Sequence, residues 1–432
     1  RRGARAAARL GKPGASPGWR RARGSRPGMR PLRLLFVVQR YGPEVRGGAE
    51  QAAREVAQRL AARGHLVEVL TTTARSYVDW SGDLPVGTER IEGVAVHRLP
   101  VRPLRDPDVF GRLHHRMETS ARPVAGVLER DWVEAQGPSV PALEPWLDAE
   151  AGRFDVAVFF TYLYATTTAG LPVAARHTAT ALVPCAHDEP PLALHVFDRV
   201  AHLADALLFL TPEEAALVRG RFRLHSPHHI VGLGTELDDG TGAAAALPGV
   251  EGDPYVLYVG RIDPSKGTSW LVDSFTALKS ARPSPLRLVL LGEAVVAPSE
   301  HPDVVVITDA DDTARNAAMR GAVALVHPSP FESFGMVLAE AWAVGTPVVA
   351  FGGNEVLRGH IERSGGGVLV RTAAELGAAC ELLAGDPTLR NALGAAGRSH
   401  VEARYRWPTV IDAWERSLLR TAAHGRRVPS TR

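Results

Sequence analysis

The stretch that decides the fold is LLFVVQRYGPEVRGGAEQAAREVAQRLAARGHLVEVL, residues 34–70. It begins with the apolar run Leu34–Val38, and a short run without polar alternation is typical of a strand buried on both faces of a parallel sheet. A glycine-containing loop follows, then a helical pattern from Ala49 to about Arg63 and a second apolar run, Leu66–Leu70. This order of strand, glycine loop, helix and strand predicts a βαβ unit.

The same alternation of short apolar runs and helical patterns continues along both halves of the chain. It predicts further strands at Phe154–Phe160, Ala179–Pro184, Ala206–Leu210, Tyr255–Val259, Leu286–Leu291, Val304–Thr308, Ala322–His327 and Pro347–Ala350. Helices are predicted at about Thr268–Ala281, Gly335–Ala343, Ala373–Leu383 and Pro408–Leu419. Two such series predict an α/β protein with two Rossmann-like, doubly wound domains, whose ligands bind at the carboxyl ends of the strands.

Changes of composition divide the chain into parts. We expect a basic leader at 1–31, an N-terminal domain at 32–235, a linker at 236–253, a C-terminal domain at 254–405, a last helix at 406–420 and a tail at 421–432. Residues 236–253 hold turn-forming residues without periodicity, which is typical of a linker. Residues 75–150 are less regular than the rest, so no element is predicted within them.

The net charge of +3 does not indicate a nucleic-acid partner. Residues 1–28 hold eight Arg and Lys12 without any acid, so the rest of the chain carries 41 basic and 47 acidic residues, about −6. The leader is too poor in apolar residues to build a core. We expect it to be disordered, or to be upstream sequence before a true start at Met29; a tail that touches acidic lipid or nucleic acid is the alternative.

Cysteine use and hydropathy indicate where the protein works. Cys185 and Cys380 are the two cysteines of the chain, which argues against a disulfide framework or a cysteine-based metal site. The apolar runs are far too short to span a bilayer, and no apolar segment of a signal peptide follows the basic leader. We therefore expect a cytoplasmic protein, with at most peripheral contact to the inner face of the membrane.

The strongest chemical signal is PFESFGMVLAEA, residues 330–341, which follows a predicted buried strand. Gly335, Met336 and Val337 would form the first turn of a helix, where backbone N–H groups lack partners within the helix. Those donors and the helix dipole suit a diphosphate.

Two glutamates frame this helix start. Glu332 precedes it, and Glu340 lies about 8 Å along the helix axis from Gly335, where its carboxylate can accept hydrogen bonds from both hydroxyls of a ribose. The alternative for both glutamates is an exposed helix face with solvated charges. We consider that alternative weaker for Glu340, because the neighbouring alanines indicate close packing.

This segment resembles the Glu-x7-Glu signature of the family-4 retaining glycosyltransferases, which have the GT-B fold. VGRIDPSKG at residues 259–267 resembles the family's Gly-Arg…Lys-Gly element, and RGGAE at residues 46–50 resembles its glycine loop. The similarity runs from about Leu32 to Arg420, and it is dense after residue 255.

The resemblance implies a role for each matching residue. Arg261 and Lys266 would neutralise the diphosphate in place of a metal, Glu332 would approach the donor sugar, and His187 would lie beside that sugar. The glycines that would let the donor approach the backbone are Gly47, Gly48, Gly260, Gly292 and Gly335, and Met336, Val337 and Glu340 complete the donor site. The last helix would cross back to the first domain, with Tyr405 and Trp407 joining the two.

Several of these assignments have structural alternatives. His187 is one of 16 histidines, most of which are expected to be structural, and Gly47-Gly48 could be an ordinary turn. Gly292 is a single glycine where a Gly-x-Gly loop often packs on the base, so this contact is weaker here. Asp309, Asp311 and Asp312 fit helix capping better than a metal pair. We predict no metal and no cofactor, with the nucleotide sugar as a substrate.

The predicted function is retaining transfer of a sugar from a UDP- or GDP-sugar to a hydroxyl of a sugar, lipid-linked or small-molecule acceptor, in glycan, glycolipid or cell-envelope synthesis. A GT-B epimerase or phosphorylase and a non-catalytic nucleotide-sugar-binding protein are the alternatives. On the acceptor side, aromatic residues could stack on sugars or build the core, namely Trp80, Trp132 and Trp146. A set of arginines could meet phosphate or an acidic membrane, or form a solvated face: Arg98, Arg102, Arg105, Arg112 and Arg116.

Overall fold

The computed structural model describes residues 30–45, 47–120, 123–224, 226–237, 247–250 and 252–425. The predicted leader up to residue 29, most of the predicted linker and the predicted tail from residue 426 lie outside these residues. So does Arg46 of the glycine loop.

The first half of the chain builds one sheet and the helices around it. Its strands are β1 Arg33–Val38, β2 Leu66–Thr72, β3 Gly87–Ile91, β4 Val94–Leu99, β5 Val156–Phe160, β6 Ala179–Val183, β7 Ala206–Phe209 and β8 His228–Ile230. Its α-helices are α1 Gly48–Ala62, α2 Pro107–Thr119, α3 Gly126–Gln136, α4 Leu143–Glu150, α5 Ala165–Thr168, α6 Gly170–Ala174, α7 His195–Leu203 and α8 Pro212–Phe222.

The second half builds another sheet of the same kind. Its strands are β9 Tyr255–Val259, β10 Arg287–Leu291, β11 Val304–Ile307, β12 Ala324–His327, β13 Val348–Phe351 and β14 Gly367–Val370. Its α-helices are α9 Thr268–Ala281, α10 Asp312–Gly321, α11 Met336–Ala343, α12 Glu355–Ser364, α13 Ala373–Gly385, α14 Pro387–Arg404 and α15 Trp407–Gly425.

Both sheets have the strand order of a doubly wound fold. The first runs β3-β4-β2-β1-β5-β6-β7-β8 and the second β11-β10-β9-β12-β13-β14. The described strand pairs are parallel except β3 with β4, which form an antiparallel hairpin. In each sheet the order reverses beside the first strand of its half, β1 or β9, so the loops after these strands flank the crevice where ligands bind. The predicted α/β fold class with two Rossmann-like sheets is confirmed.

The central strands are strands because they can be buried on both faces. Leu34–Val38 are fully buried in β1, and β1 pairs with β2 and β5 at Leu34↔Val67 and Leu34↔Val156. The short predicted runs therefore marked the strands well. Several ends differ by one or two residues, because the ladder continues where the apolar run stops or begins after it, as at Thr72 and Val156.

The last helix, α15, lies against the first sheet. The ring of Trp414 stacks on Phe160 of β5, with 5.9 Å between centroids, and its indole N–H donates to the carbonyl of Gly232 at 3.0 Å. His65, which precedes β2, contacts Glu415 at 2.9 Å. The end of the chain thus packs on the half where the chain began, and the exact domain boundaries remain a prediction.

Candidate functional site

The helix α11 begins with an open N-terminus at the edge of the second sheet. Gly335 is its N-cap residue, with φ of +74° and no side chain to cap the helix. Glycine suits this left-handed conformation, which costs other residues about 1–2 kcal/mol. The first-turn N–H groups of Met336 and Val337 have no partner within the helix. An anion can therefore approach this turn without displacing a capping side chain.

A cation lies beside the loop that leads into this helix. Lys266, in the turn between β9 and α9, places its Nζ 2.9 Å from Glu332 Oε1 and 3.3 Å from the carbonyl of Phe331. His327, at the end of β12, contacts the same carboxylate oxygen through Nε2 at 3.2 Å. Burial alone would raise the pKa of Glu332, but Lys266 and His327 outweigh it and hold that pKa well below its usual range. Glu332 is therefore a carboxylate at neutral pH.

Arg261 follows β9 and points across to the first half of the chain. Its guanidinium carbon lies 4.8 Å from the centre of the Tyr77 ring. Its Nε lies 3.2 Å from Asp263 Oδ2, but the direction does not make a hydrogen bond, and within the described residues this Nε has no hydrogen-bond partner. Arg261 thus brings a partly exposed guanidinium group into the space between the sheets.

Glu340 lies on α11 and forms an ion pair with Arg315 of α10. Both side chains line a cavity of about 250 Å³ between the halves, which Gln51 and Arg59 of α1 border from the other side. Burial lowers the pKa of Arg315. The Glu-x7-Glu pattern predicted Glu340 as a site residue. Arg315 was not predicted, because nothing in the sequence distinguishes an arginine in the first turn of a polar helix.

His187 lies in the loop after β6, at the carboxyl end of that strand. Its Nδ1 is 3.5 Å from Glu189 Oε1, which also accepts a hydrogen bond from the Tyr162 hydroxyl at 2.6 Å. Its ring centre lies 6.4 Å from that of Phe331, next to Glu332. His187 from the first half therefore faces the loop that carries Glu332 in the second.

A buried carboxylate that the sequence argument did not single out supports the His187 loop. Glu214 in α8 is 0% exposed, and it accepts backbone hydrogen bonds from Ala186 at 2.8 Å and Leu210 at 2.7 Å. Burial raises its pKa to about 7, against the lowering effect of these bonds. Glu214 thereby ties the ends of β6 and β7 together, one residue from His187.

The glycine loop after β1 is held by a buried ion pair. Glu50 in the first turn of α1 accepts hydrogen bonds from Gln39 at 2.9 Å and from Arg40 at 2.6 Å. A Cβ on Gly47 would collide with the Glu50 carboxylate, whereas a Cβ on Gly48 would meet nothing within 4 Å. The fold therefore requires glycine at position 47 but leaves open space beside Gly48.

Gly260 and Gly292 end β9 and β10 and pack backbone against backbone. A Cβ on Gly292, whose φ is +149°, would collide with the carbonyl oxygen of Gly260. Close packing of the two strand ends thus accounts for Gly292, whereas Gly260 is favoured by its own φ of +143°. The contact of either glycine with a donor remains a prediction.

Two of the arginines that were expected to meet phosphate, a membrane or solvent are instead engaged within the fold. The Arg98 side chain is 1% exposed, pairs with Glu89 at 2.6 Å and donates to the Tyr41 carbonyl at 2.7 Å. Arg105 donates to the carbonyl of Val78 at 2.8 Å. Both guanidinium groups are therefore engaged in hydrogen bonds that hold loops of the first half in place.

The three tryptophans of the irregular region differ in burial. Trp80 and Trp132 are buried in the core, and Trp146 is half-buried.

The aspartates before α10 act as predicted at one position. Asp311 caps α10 by accepting a hydrogen bond from the backbone N–H of Ala314 at 2.7 Å, so the capping interpretation is confirmed for Asp311. In the described parts of the chain, no group of three or more His, Cys, Asp or Glu side chains could hold a metal ion.

No helix in the described ranges is long and apolar enough to cross a membrane.

Comparison with known proteins agrees with this arrangement. Residues 47–234 match the family described as "Glycosyl transferase 4-like domain", and residues 253–386 match "Glycosyl transferases group 1". A D-inositol 3-phosphate glycosyltransferase of Saccharomonospora viridis is 30% identical over 87% of this chain and 90% of its own length. Its counterpart in Xylanimonas cellulosilytica is 31% identical over 87% and 93%.

Solved structures share the fold at low identity. Sucrose-phosphate synthase of Thermosynechococcus elongatus superposes with a TM-score of 0.65 at 21% identity, covering 90% of this chain and 99% of that one. The HepE protein of Anabaena, solved with UDP, gives a TM-score of 0.61 at 17% identity, covering 90% of this chain and 100% of that one.

The family matches and the two D-inositol 3-phosphate glycosyltransferases confirm that this protein is a glycosyltransferase, as predicted. The chain belongs to the group 1, or family-4, glycosyltransferases of the GT-B fold, retaining enzymes that move a sugar from a nucleoside-diphosphate sugar to an acceptor.

Proposed function

We propose that the donor diphosphate lies between the first turn of α11 and two cations, Arg261 and Lys266. The N–H groups of Met336 and Val337 donate to phosphate oxygens, since a helix N-terminus favours an anion. Arg offers a planar fork of donors and Lys a compact charge, and both suit phosphate. The observation that carries the proposal is the 2.9 Å pair of Lys266 with Glu332, which holds the cation beside an uncapped helix start.

The rest of the donor extends from this diphosphate in two directions. Toward the cavity, Glu340 accepts hydrogen bonds from the ribose hydroxyls, in exchange for part of its contact with Arg315. Toward the first half, the sugar lies between Glu332 and His187, whose loops face each other through Phe331. The backbone beside Gly48 borders the acceptor or the phosphates, because no side chain fills the space there.

The reaction depends on stabilising the negative charge of the leaving diphosphate more than on a nucleophilic side chain of the protein. As the bond from the anomeric carbon to the diphosphate oxygen breaks, negative charge grows on that oxygen, and Arg261 and Lys266 neutralise it. The acceptor hydroxyl attacks from the same face and passes its proton to the departing phosphate. Because the new bond forms on the face from which the diphosphate leaves, the anomeric configuration is retained.

The carboxylates nearest to the sugar are already engaged. Glu332 pairs with Lys266 and His327, and Glu189 accepts from Tyr162 and contacts His187. Glu332 therefore serves better as an orienting acceptor for sugar hydroxyls than as a covalent nucleophile.

The comparisons narrow the substrates to test first. The structural neighbour HepE was solved with UDP and with UDP-glucose, so a UDP-sugar is the first donor to try, and a GDP-sugar the second. The curated relatives are named for an inositol phosphate acceptor, which favours a hydroxyl of a sugar or cyclic polyol, free or phosphorylated, as the acceptor.

Calorimetric titration with a nucleoside diphosphate tests the proposed diphosphate site. Arg261→Ala and Lys266→Ala should each raise the Kd about fivefold to 150-fold, the effect of losing a charged hydrogen bond worth about 1–3 kcal/mol. Arg282→Ala is the matched control, because this arginine is 73% exposed and pairs with Glu381 on α13. Unchanged binding in both test variants would refute the site.

Metal independence is tested by activity in a chelator. Because two cationic side chains are proposed to neutralise the leaving group, turnover should be the same with and without EDTA. A loss of turnover that Mn²⁺ or Mg²⁺ restores would show that a metal ion, and not Arg261 with Lys266, carries this charge.

A further inference from the structure

Tyr77 lies in the loop that joins β2 to β3, at the edge of the space between the two halves. The loop is anchored, because the backbone N–H of Arg75 donates to the Ser81 carbonyl at 2.9 Å and the Arg105 side chain donates to the Tyr77 carbonyl. The Tyr77 ring packs on a small core of Ala74, Trp80 and Val101. The ring is therefore fixed in place by its own half of the molecule.

Two guanidinium groups lie over this one ring. The guanidinium carbon of Arg40 is 5.5 Å from the ring centre, and that of Arg261 is 4.8 Å away. Arg40 is neutralised by the buried Glu50, so it belongs to the framework of the glycine loop. Arg261 comes from the other sheet. The Tyr77 ring therefore joins the glycine loop of the first half to the diphosphate-binding arginine of the second.

The contact leaves Arg261 able to bind phosphate. In a cation–π contact the guanidinium group lies over the aromatic ring, whereas a phosphate is bound through the N–H groups at the edge of the guanidinium. Arg261 Nε is buried and has no hydrogen-bond partner among the described residues, whereas the side chain as a whole is one-third exposed. Contact with Tyr77 therefore leaves the exposed part of the Arg261 side chain open to a phosphate.

We infer that Tyr77 is a positioning residue for the donor, which holds the Arg261 guanidinium in the space between the halves before the diphosphate arrives. A fixed side chain loses less conformational freedom on binding, so affinity is gained without a direct contact to the ligand. The contact exists only while the two halves face each other at this distance, so it also favours the arrangement that closes the donor site. This inference rests on the proposed diphosphate site.

The experiment is a double-mutant cycle between Tyr77 and Arg261, read by calorimetry with UDP and by donor KM and kcat. Tyr77→Leu should raise the Kd on the order of threefold to tenfold, the range of an exposed to partly buried cation–π contact. Tyr77→Phe keeps the ring and should bind like the unaltered protein. In the Arg261→Ala background, Tyr77→Leu should have no further effect, because Tyr77 acts through Arg261.

A second variant guards against a general loss of structure. Phenylalanine with three ring fluorines at position 77 keeps the shape of the ring but withdraws its π density. It should raise the Kd and the donor KM as Tyr77→Leu does, with the melting temperature unchanged.

The outcomes separate this inference from the proposed function. If Arg261→Ala binds UDP normally, the diphosphate site itself is wrong. If Arg261→Ala weakens binding but Tyr77→Leu and the fluorinated ring do not, only the role of Tyr77 is refuted. The same applies if Tyr77→Leu weakens binding equally with and without Arg261.

Discussion

At the scale of single residues, Glu340 shows what spacing can and cannot predict. Its place eight residues after Glu332 assigned it to the site, and it does line the cavity between the halves. Its ion pair with Arg315 could not be predicted, because that contact depends on how α10 packs beside α11. Glu214 escaped notice for the same reason: its partners Ala186 and Leu210 are brought together by the sheet, not by the sequence.

Glu340→Ala should weaken binding of a nucleoside diphosphate by about 1–3 kcal/mol, because a carboxylate that accepts from ribose is lost. Inorganic pyrophosphate, which has no ribose, should bind this variant as it binds the unaltered protein. Calorimetry with both ligands makes the comparison. An equal loss for pyrophosphate would mean that Glu340 acts on the diphosphate end, through Arg315 or the helix start.

At the scale of elements, the residues that begin helices were easier to predict than those that end strands. The glycines before α1 and α11 follow buried strands in both cases, and that context predicted the two helix starts to within a residue. The strands β3, β4, β8 and β14 were missed. β3 is mostly exposed, β4 alternates buried with half-buried residues, and β8 and β14 are only three and four residues long. None of them is a run of fully buried residues, which is the pattern that predicted the central strands.

The glycine loop gives a prediction at this scale. Gly48→Ala should leave the melting temperature unchanged, because its Cβ would meet nothing within 4 Å, but should lower kcat/KM about tenfold if substrate occupies that space. Gly47→Ala is the contrasting variant, since its Cβ would collide with Glu50 and lower stability. Full activity in Gly48→Ala would show that no substrate approaches the loop there.

At the scale of the whole molecule, the alternating pattern predicted two sheets but not how they face each other. That arrangement depends on contacts between distant parts of the chain. Thr211 donates to the Ser333 carbonyl at 3.1 Å, Glu213 pairs with Arg363, and Trp414 packs on Phe160. Ser333 belongs to the PFESFGMVLAEA motif, but the motif does not show which residue of the other half it meets. The sequence therefore predicted the two lobes, while their mutual arrangement had to come from the structure and the acceptor side stayed open.

The donor site proposed for this protein depends on one contact: the uncapped start of α11, together with Arg261 and Lys266, binds the diphosphate of the donor. A crystal structure of the protein with UDP would show this contact. We expect phosphate oxygens at about 3 Å from the backbone nitrogens of Met336 or Val337 and from both cationic side chains. UDP bound elsewhere, or phosphates at this helix with Arg261 and Lys266 turned away from them, would contradict it.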